Sequence, residues 1–243
     1  MKPFLILQLR PIDVVADNEF EAFLRYGKLD ATEVQRIRMD QGDLPDINLD
    51  DFSGVIIGGG PSNVSDEEGE KYDYQSIFEK WLEPLVKEII ASDFPCLGAC
   101  YGLGALTNFG GGKMGREAYG EKLAAVDIHM NKDGNADQLL AGLDNPFQAI
   151  VGHKEACQIA PDGAIILASS QICPTQMFRI GENVYGTQFH PELDVQDVGV
   201  RADAYQHKGY FPPEELEQIK AYFSDKEITV PMMLLERFVA RYR

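Results

Sequence analysis

Long apolar runs are missing from this 243-residue sequence. It contains no stretch of about 18 consecutive apolar residues, which excludes a membrane-spanning helix of ordinary length. The apolar segment near the N-terminus is too short for a secretory signal, and Pro11 ends it. Internal repeats and low-complexity tracts are also absent. The sequence therefore predicts a globular protein whose first apolar segment is a buried strand.

Positive charge is scarce, with 22 Lys and Arg against 39 Asp and Glu and a formal net charge of −17. A field of this sign repels nucleic acids and anionic membranes, so we expect neither as a partner. Cysteine is scarce too, and the four cysteines show no spacing typical of a zinc site. A chain of this length needs no disulfides, so we expect a reducing, cytoplasmic compartment, no metal and no cofactor.

The order of apolar segments predicts an α/β fold. In the first half, strands alternate with helices, as in a parallel sheet covered on both faces. The predicted strands there span residues 4–9, 34–38, 54–57 and 94–97, and the helices span 17–26, 75–91 and 103–109. Pro84 predicts a kink or a break in the second helix.

The second half of the chain changes character. Short strands are predicted at 123–129, 148–151, 164–169, 176–180 and 184–189, and helices at 195–205, 213–223 and 231–242. Gly181-Glu182-Asn183, between the last two strands, is a hairpin signal. We therefore predict an open, mostly parallel but mixed sheet with helices on both faces over residues 1–194, and a helical C-terminal extension packed on it over 195–243.

A Gly-x-Cys-x-Gly pattern stands where a predicted strand passes into a helix, in Gly98-Ala99-Cys100-Tyr101-Gly102. This is the pattern of a nucleophile elbow with cysteine in place of serine. The sharp turn needs small residues two places before and after the nucleophile. The helix N-terminus favours a thiolate at Cys100, and the N–H of Tyr101 would face a developing oxyanion. The alternative is a buried structural cysteine beside two turn glycines.

A glycine run follows another predicted strand, in Gly58-Gly59-Gly60-Pro61. Such a run lets the backbone approach a ligand closely, and the N–H of Gly60 would form an oxyanion hole with that of Tyr101. A plain turn is the alternative. A phosphate-binding loop is excluded, because no Lys-Ser/Thr pair follows.

His190 and Glu192 stand two residues apart at the end of the last predicted strand. Side chains at this spacing in an extended segment point the same way. His190 would then take the proton of Cys100, and Glu192 would orient the imidazole. The alternative is a surface histidine in a turn. His153, in the segment GHKEA, is a candidate for the wall of the site or a loop histidine.

Three of these segments, in this order, resemble the class I (triad) glutamine amidotransferases: VIIGGGP, PCLGACYG and YGTQFHPE. The resemblance covers Phe4 to about Asp194. It implies an open, mostly parallel α/β sheet and a cysteine that attacks the side-chain amide of glutamine, releases ammonia and is freed by water. It also implies site roles for particular residues. These are Cys100 as nucleophile, His190 as base, Glu192 as orienter, Gly60 and Tyr101 as oxyanion donors, and Gly59, Gly104, Gly152 and His153 as substrate contacts.

One departure from the family pattern concerns the substrate. The family usually continues from the elbow as Cys-x-Gly-His/Met-Gln, and that glutamine helps to hold the substrate, whereas this chain has Leu103 and Gly104. A γ-glutamyl peptidase or hydrolase with the same triad and a roomier pocket is therefore an alternative to a glutaminase. A non-catalytic regulatory relative is a third interpretation, and the intact triad disfavours it.

A second departure concerns the use of the ammonia. The SGGxDS nucleotide loop of guanylate synthesis is absent, and only about 50 residues follow Asp194. The resemblance therefore implies a stand-alone relative of the glutaminase domain of GMP synthase, or a glutaminase subunit. The expected partners are glutamine or a γ-glutamyl compound and, for a subunit, a synthase that receives ammonia.

Overall fold

The computed structural model of the protein describes residues 2–42, 44–207 and 211–243. In these residues one nine-stranded sheet runs in the order β2-β1-β3-β4-β11-β10-β9-β6-β7. Its first five strands are parallel to one another. They are β1 (Phe4–Gln8), β2 (Val34–Arg38), β3 (Gly54–Ile57), β4 (Cys96–Ala99) and β11 (Val184–Thr187). The carboxyl ends of these parallel strands therefore lie along one edge of the sheet.

The parallel strands are buried on both faces, as their apolar sequences predict. Leu5 and Leu7 of β1 face a core built with α2 (Gln75–Ala91) and α3 (Tyr101–Phe109). Phe4 and Ile6 face the opposite core, built with α1 (Asp13–Gly27) and α7 (Val230–Tyr242). This alternation is the two-residue period of a strand.

The rest of the sheet is antiparallel, which confirms the mixed sheet. Its strands are β6 (Glu121–Met130), β7 (Phe147–His153), β9 (Ile165–Ser169) and β10 (Met177–Ile180). Strands β10 and β11 form the predicted hairpin, and Gly181 in its turn has φ +58°. The sequence did not predict the small sheet of β5 (Lys113–Gly115) and β8 (Ala156–Ile159), or the five-residue helix α4 (Lys132–Ala136), because such short elements show no period.

Pro84 lies inside α2, which is one continuous helix and is not broken there. Phe78, Leu82, Leu85 and Val86 bury one face of this helix in the core on both sides of the proline. Apolar burial of this extent offsets the loss of one backbone hydrogen bond, so the predicted break does not occur.

Two further helices complete the C-terminal segment, α5 (Val195–Tyr205) and α6 (Leu216–Ser224). A 3₁₀ turn over Pro213–Glu215 precedes α6, at the position where the predicted helix 213–223 begins. Helix α5 is joined to α1 by an ion pair of 2.5 Å between Arg25 and Asp197. Residues 208–210 of the predicted extension lie outside the described residues. Among the described helices, none combines the length and the apolar character needed to cross a membrane.

Candidate active site

Cys100 occupies the sharp turn between β4 and α3, with φ +52° and ψ −98°. A positive φ is unfavourable for a residue with a side chain, and neighbouring hydrogen bonds hold it here. The Cys100 N–H donates to the carbonyl oxygen of Thr187 at 2.8 Å, and the Cys100 carbonyl accepts from the N–H of Gly104 at 3.0 Å. The predicted strand-turn-helix at this position is therefore present.

The two flanking glycines are explained by close backbone contacts. A Cβ added at Gly98 would lie 2.6 Å from the carbonyl carbon of Gly102. A Cβ added at Gly102 would lie 2.4 Å from the carbonyl oxygen of Ile57. Neither position has room for a side chain, so the pattern Gly-x-Cys-x-Gly is required by the packing of Gly98 against α3 and of Gly102 against β3.

His190 follows β11, and β11 pairs directly with β4 in the sheet. Because parallel neighbours end at the same sheet edge, His190 and Cys100 meet there and line the same cavity. The other ring nitrogen, Nδ1, lies 2.9 Å from Oε1 of Glu192. The structure therefore brings the three predicted triad residues together in the predicted order.

Two charges hold the carboxylate of Glu192. This side chain is fully buried, and Oε1 also accepts a hydrogen bond of 2.8 Å from Nη1 of Arg201. Burial raises the pKa of Glu192, but the charges of His190 and Arg201 outweigh burial and lower it below its usual range. Glu192 is therefore an anion at neutral pH.

The imidazole of His190 is held in its protonated form. Burial lowers its pKa, but the charge of Glu192 and the hydrogen bonds with Cys100 and Glu192 raise it to about 9. His190 therefore carries a positive charge beside the sulfur of Cys100 at pH 7. This arrangement suits a thiolate nucleophile and an acid that later delivers a proton to a leaving group.

Sequence reasoning missed two buried arginines at the site, Arg10 and Arg201. Arg201 lies on α5, on the same face as Val198, Ala202 and Tyr205, and this i, i+3, i+4, i+7 spacing was a usable signal. Arg10 comes just after the carboxyl end of β1, where site residues of parallel sheets collect. Its Nε donates to Glu19 at 2.9 Å.

Two cavities meet at Cys100. The first, here called the helix-side cavity, is mostly apolar and includes one face of α5. It is lined by Arg10, Gly60, Cys100, Leu123, Ile150, Val151, Gly152, His190, Leu193, Val198, Arg201, Ala202, Tyr205 and Phe211. The second, here called the loop-side cavity, has a lining that is polar and apolar in equal parts. It is lined by Gly60, Ser62, Asn63, Cys100, Tyr101, Gly152, His153, Lys154, Glu155 and Gln188.

The glycines predicted for the site have different positions. Gly60 and Gly152 line both cavities beside Cys100. Gly59 lies against His190, since a Cβ added there would be 2.6 Å from Cε1 of that ring. Tyr101 is the first residue of α3 and lines the loop-side cavity. Gly60 precedes Cys100 in the sequence and Tyr101 follows it, and all three residues line the loop-side cavity.

The side chain of His153 is engaged in a buried network, although the residue lines the loop-side cavity. Its Nε2 lies 2.9 Å from Glu121, and its Nδ1 lies 2.8 Å from the carbonyl oxygen of Glu155. The ligand atoms of Glu121, His153 and Cys173 lie within 4.8 Å of one another, a spacing that a metal ion would accept. Hydrogen bonds already occupy Glu121 and His153, so these side chains fix the end of β7, which carries Gly152.

Gly104 is not among the residues that line the two cavities at Cys100. A Cβ added there would lie 3.0 Å from Val64 and 3.4 Å from Oε1 of Glu155. Glu155 itself lines the loop-side cavity, and its carboxylate accepts hydrogen bonds from the N–H groups of Val64 and Ser65 at 2.8 and 2.9 Å. Burial raises the pKa of Glu155. Glu155 thus occupies the space next to the position where the family pattern places a glutamine.

Comparisons with known proteins identify the family of this chain. The family model described as "Glutamine amidotransferase class-I" matches residues 14–201. GMP synthase [glutamine-hydrolyzing] of Bacillus pumilus is 31% identical over 147 residues, which cover 60% of this chain and 25% of that protein. The corresponding protein of Clostridium perfringens is 28% identical over 190 residues, covering 72% of this chain and 33% of that one.

A solved structure extends the likeness to the whole fold. The glutamine amidotransferase of Thermotoga maritima has a TM-score of 0.72 and 21% identity, with 98% of each chain covered. This chain spans 25% of the length of the Bacillus pumilus protein, so the likeness to GMP synthases concerns only one part of them. The family model, by contrast, covers most of this chain, from α1 into α5. The chain belongs to the class-I glutamine amidotransferase family.

Proposed function

We propose that this protein hydrolyses the side-chain amide of glutamine, with Cys100 as nucleophile and His190 as the proton carrier. The observation that carries the proposal is the position of His190, which lies beside Cys100 in the wall of the helix-side cavity and is hydrogen-bonded to Glu192. Membership of a glutamine amidotransferase family supports glutamine as the substrate.

The first half of the reaction forms a covalent thioester. The Cys100 sulfur attacks the amide carbon, and a carbon–sulfur bond forms. The N–H groups of Gly60 and Tyr101 stabilise the oxygen as it becomes negative. His190, protonated at neutral pH, gives its proton to the amide nitrogen, the carbon–nitrogen bond breaks, and ammonia leaves.

Hydrolysis of the thioester completes the cycle. His190 is now neutral and takes a proton from an incoming water, which attacks the same carbon. The carbon–sulfur bond breaks, glutamate leaves, and Cys100 returns to its starting state. Throughout both halves, Glu192 keeps the imidazole in one orientation and stabilises its charged form, and Arg201 holds Glu192.

The fate of the ammonia divides the proposal into two forms. In one form the ammonia is simply released. In the other, a synthase receives it, which is supported by the name of the similar proteins, GMP synthase [glutamine-hydrolyzing]. A non-catalytic role is disfavoured because Cys100, His190 and Glu192 are all present and in contact.

Ammonia release from glutamine by the purified protein tests the proposal. We expect steady release by the wild type and none above background by Cys100→Ala or His190→Ala, each shown to be folded by its thermal unfolding. The matched control is a substitution by alanine at an exposed position away from Cys100. Ser224→Ala is such a variant and should release ammonia at the wild-type rate. Release that survives in Cys100→Ala would contradict the proposed nucleophile.

A further inference from the structure

The two cavities at Cys100 lie on different sides of the bond that the proposed reaction breaks. In amide hydrolysis the protonated histidine delivers its proton to the leaving nitrogen, so the leaving group must lie on the side of His190. Among the described residues, His190 lines the helix-side cavity and is not part of the loop-side wall. In the proposed reaction the leaving group would therefore lie in the helix-side cavity, and the glutamyl group would lie in the loop-side cavity.

An ammonia molecule does not account for the helix-side cavity. Its wall includes Leu123, Ile150, Val198 and Phe211, side chains that suit a hydrocarbon body rather than a small polar product. A larger leaving amine would cover this apolar surface and gain the free energy of its burial.

Arginines supply the polar end of the same cavity. Arg201 is 7% exposed, and its Nη1 donates a hydrogen bond to Glu192. Its Nε and Nη2 are buried and have no hydrogen-bond partner among the described residues. These two nitrogens form one edge of the guanidinium, the fork that binds a carboxylate through two parallel hydrogen bonds. Arg10, 5% exposed, lines the same cavity and reaches Tyr205 through Nη1 at 3.5 Å.

We propose that the helix-side cavity is a leaving-group subsite for an amino acid or short peptide with a free carboxylate, which the Nε–Nη2 edge of Arg201 binds with help from Arg10. This proposal rests on the proposed function and extends it from glutamine to γ-glutamyl amino acids. The bond between the side-chain carbonyl carbon (Cδ) of the glutamyl group and the nitrogen breaks, the proton of His190 goes to the leaving amine, and water later releases glutamate from Cys100. Arg201 thus has two tasks, since it also positions Glu192.

Three substrates test this subsite on the purified wild type: glutamine, γ-glutamyl-leucine, and the same dipeptide with its carboxylate converted to an amide. The two dipeptides have the same size and apolar body and differ in the anionic group. Because hydrogen bonds to a charged group are the stronger ones, we expect kcat/KM for the acid to exceed that for the amide by tenfold or more.

The variant Arg201→Lys tests whether Arg201 causes the preference for the acid over the amide. Lysine keeps a positive charge near Glu192 and loses the two-nitrogen edge. We expect the ratio of kcat/KM for the acid over the amide to fall towards one, and the rate on glutamine to fall by a smaller factor than the rate on the acid. The matched control is Arg237→Lys, on α7, where the arginine donates to the carbonyl oxygens of Leu139 and Ala141; there the ratio should not change.

The outcomes separate this inference from the proposed function. Equal rates on the acid and the amide in the wild type would overturn the subsite, and so would an unchanged ratio in Arg201→Lys. Hydrolysis of glutamine without hydrolysis of either dipeptide would overturn the subsite and leave the proposed function standing. If none of the three substrates were hydrolysed with dependence on Cys100, the proposed function would fail together with the subsite.

Discussion

Replacement of Glu192 by glutamine removes the charge next to His190 and keeps the size of the side chain. The charge of Glu192 is the largest of the effects that raise the pKa of His190 from 6.5 to about 9. At about 1.4 kcal/mol for each pH unit, this rise corresponds to a preference of about 3 kcal/mol for the protonated imidazole. Burial of the ring acts in the opposite direction and remains in the variant.

We therefore expect the pKa of His190 to fall by at least about one unit in Glu192→Gln. An NMR titration of the imidazole Cε1 proton between about pH 5 and pH 10 measures it, with His190→Gln used to assign the signal. Glu236→Gln, which removes an exposed carboxylate from α7, is the matched control and should leave the titration unchanged.

The charge of Glu192 should also change how the free energy of unfolding depends on pH. Because the pKa of His190 is higher in the folded than in the unfolded protein, its stabilising contribution is complete below about pH 6.5 and is lost as the pH rises through about 9. The difference in free energy of unfolding between wild type and Glu192→Gln should therefore shrink between these two pH values. A difference that stays constant, together with an unchanged His190 titration, would refute the assigned role of Glu192.

Three further predictions concern the elbow. A mild thiol alkylator should modify Cys100 before the three buried cysteines, whose thiol pKa values are raised by burial; peptide mapping checks the order. Gly102→Ala should lower the free energy of unfolding by about 3 kcal/mol, measured with denaturant, because the new Cβ meets the carbonyl oxygen of Ile57. Gly104→Gln should lower the melting temperature and reduce activity on glutamine and γ-glutamyl dipeptides in parallel, because the side chain needs the space of Glu155; a selective gain on glutamine would show instead that position 104 reaches the substrate.

The parts of the site that the sequence predicted are those encoded in short segments. The elbow around Cys100 and the pair His190 and Glu192 each lie within a few residues of a strand end, so local geometry fixes them. The parallel order of β4 and β11 then brings the two segments together. The alternation of strands and helices likewise predicted the layered α/β fold, which the solved structures share.

The parts that escaped prediction depend on distant packing. Arg201 reaches Glu192 only because α5 is docked on α1 through Asp197 and Arg25, an arrangement that no local pattern encodes. The side chain of His153 meets Glu121 across the antiparallel pair β6–β7, whose register places the two residues opposite each other. Sequence spacing alone suggested a site wall there.

Covalent capture by a glutamine analogue tests the central claim most directly, namely that Cys100 attacks the side-chain amide carbon of glutamine. The reagent is a diazoketone of glutamine's shape, and peptide mapping by mass spectrometry locates the adduct. We predict one adduct per chain, on Cys100, formed more slowly when glutamine is present and absent in Cys100→Ala. Labelling on Cys96, Cys157 or Cys173, or labelling of Cys100 that glutamine does not slow, would contradict the account.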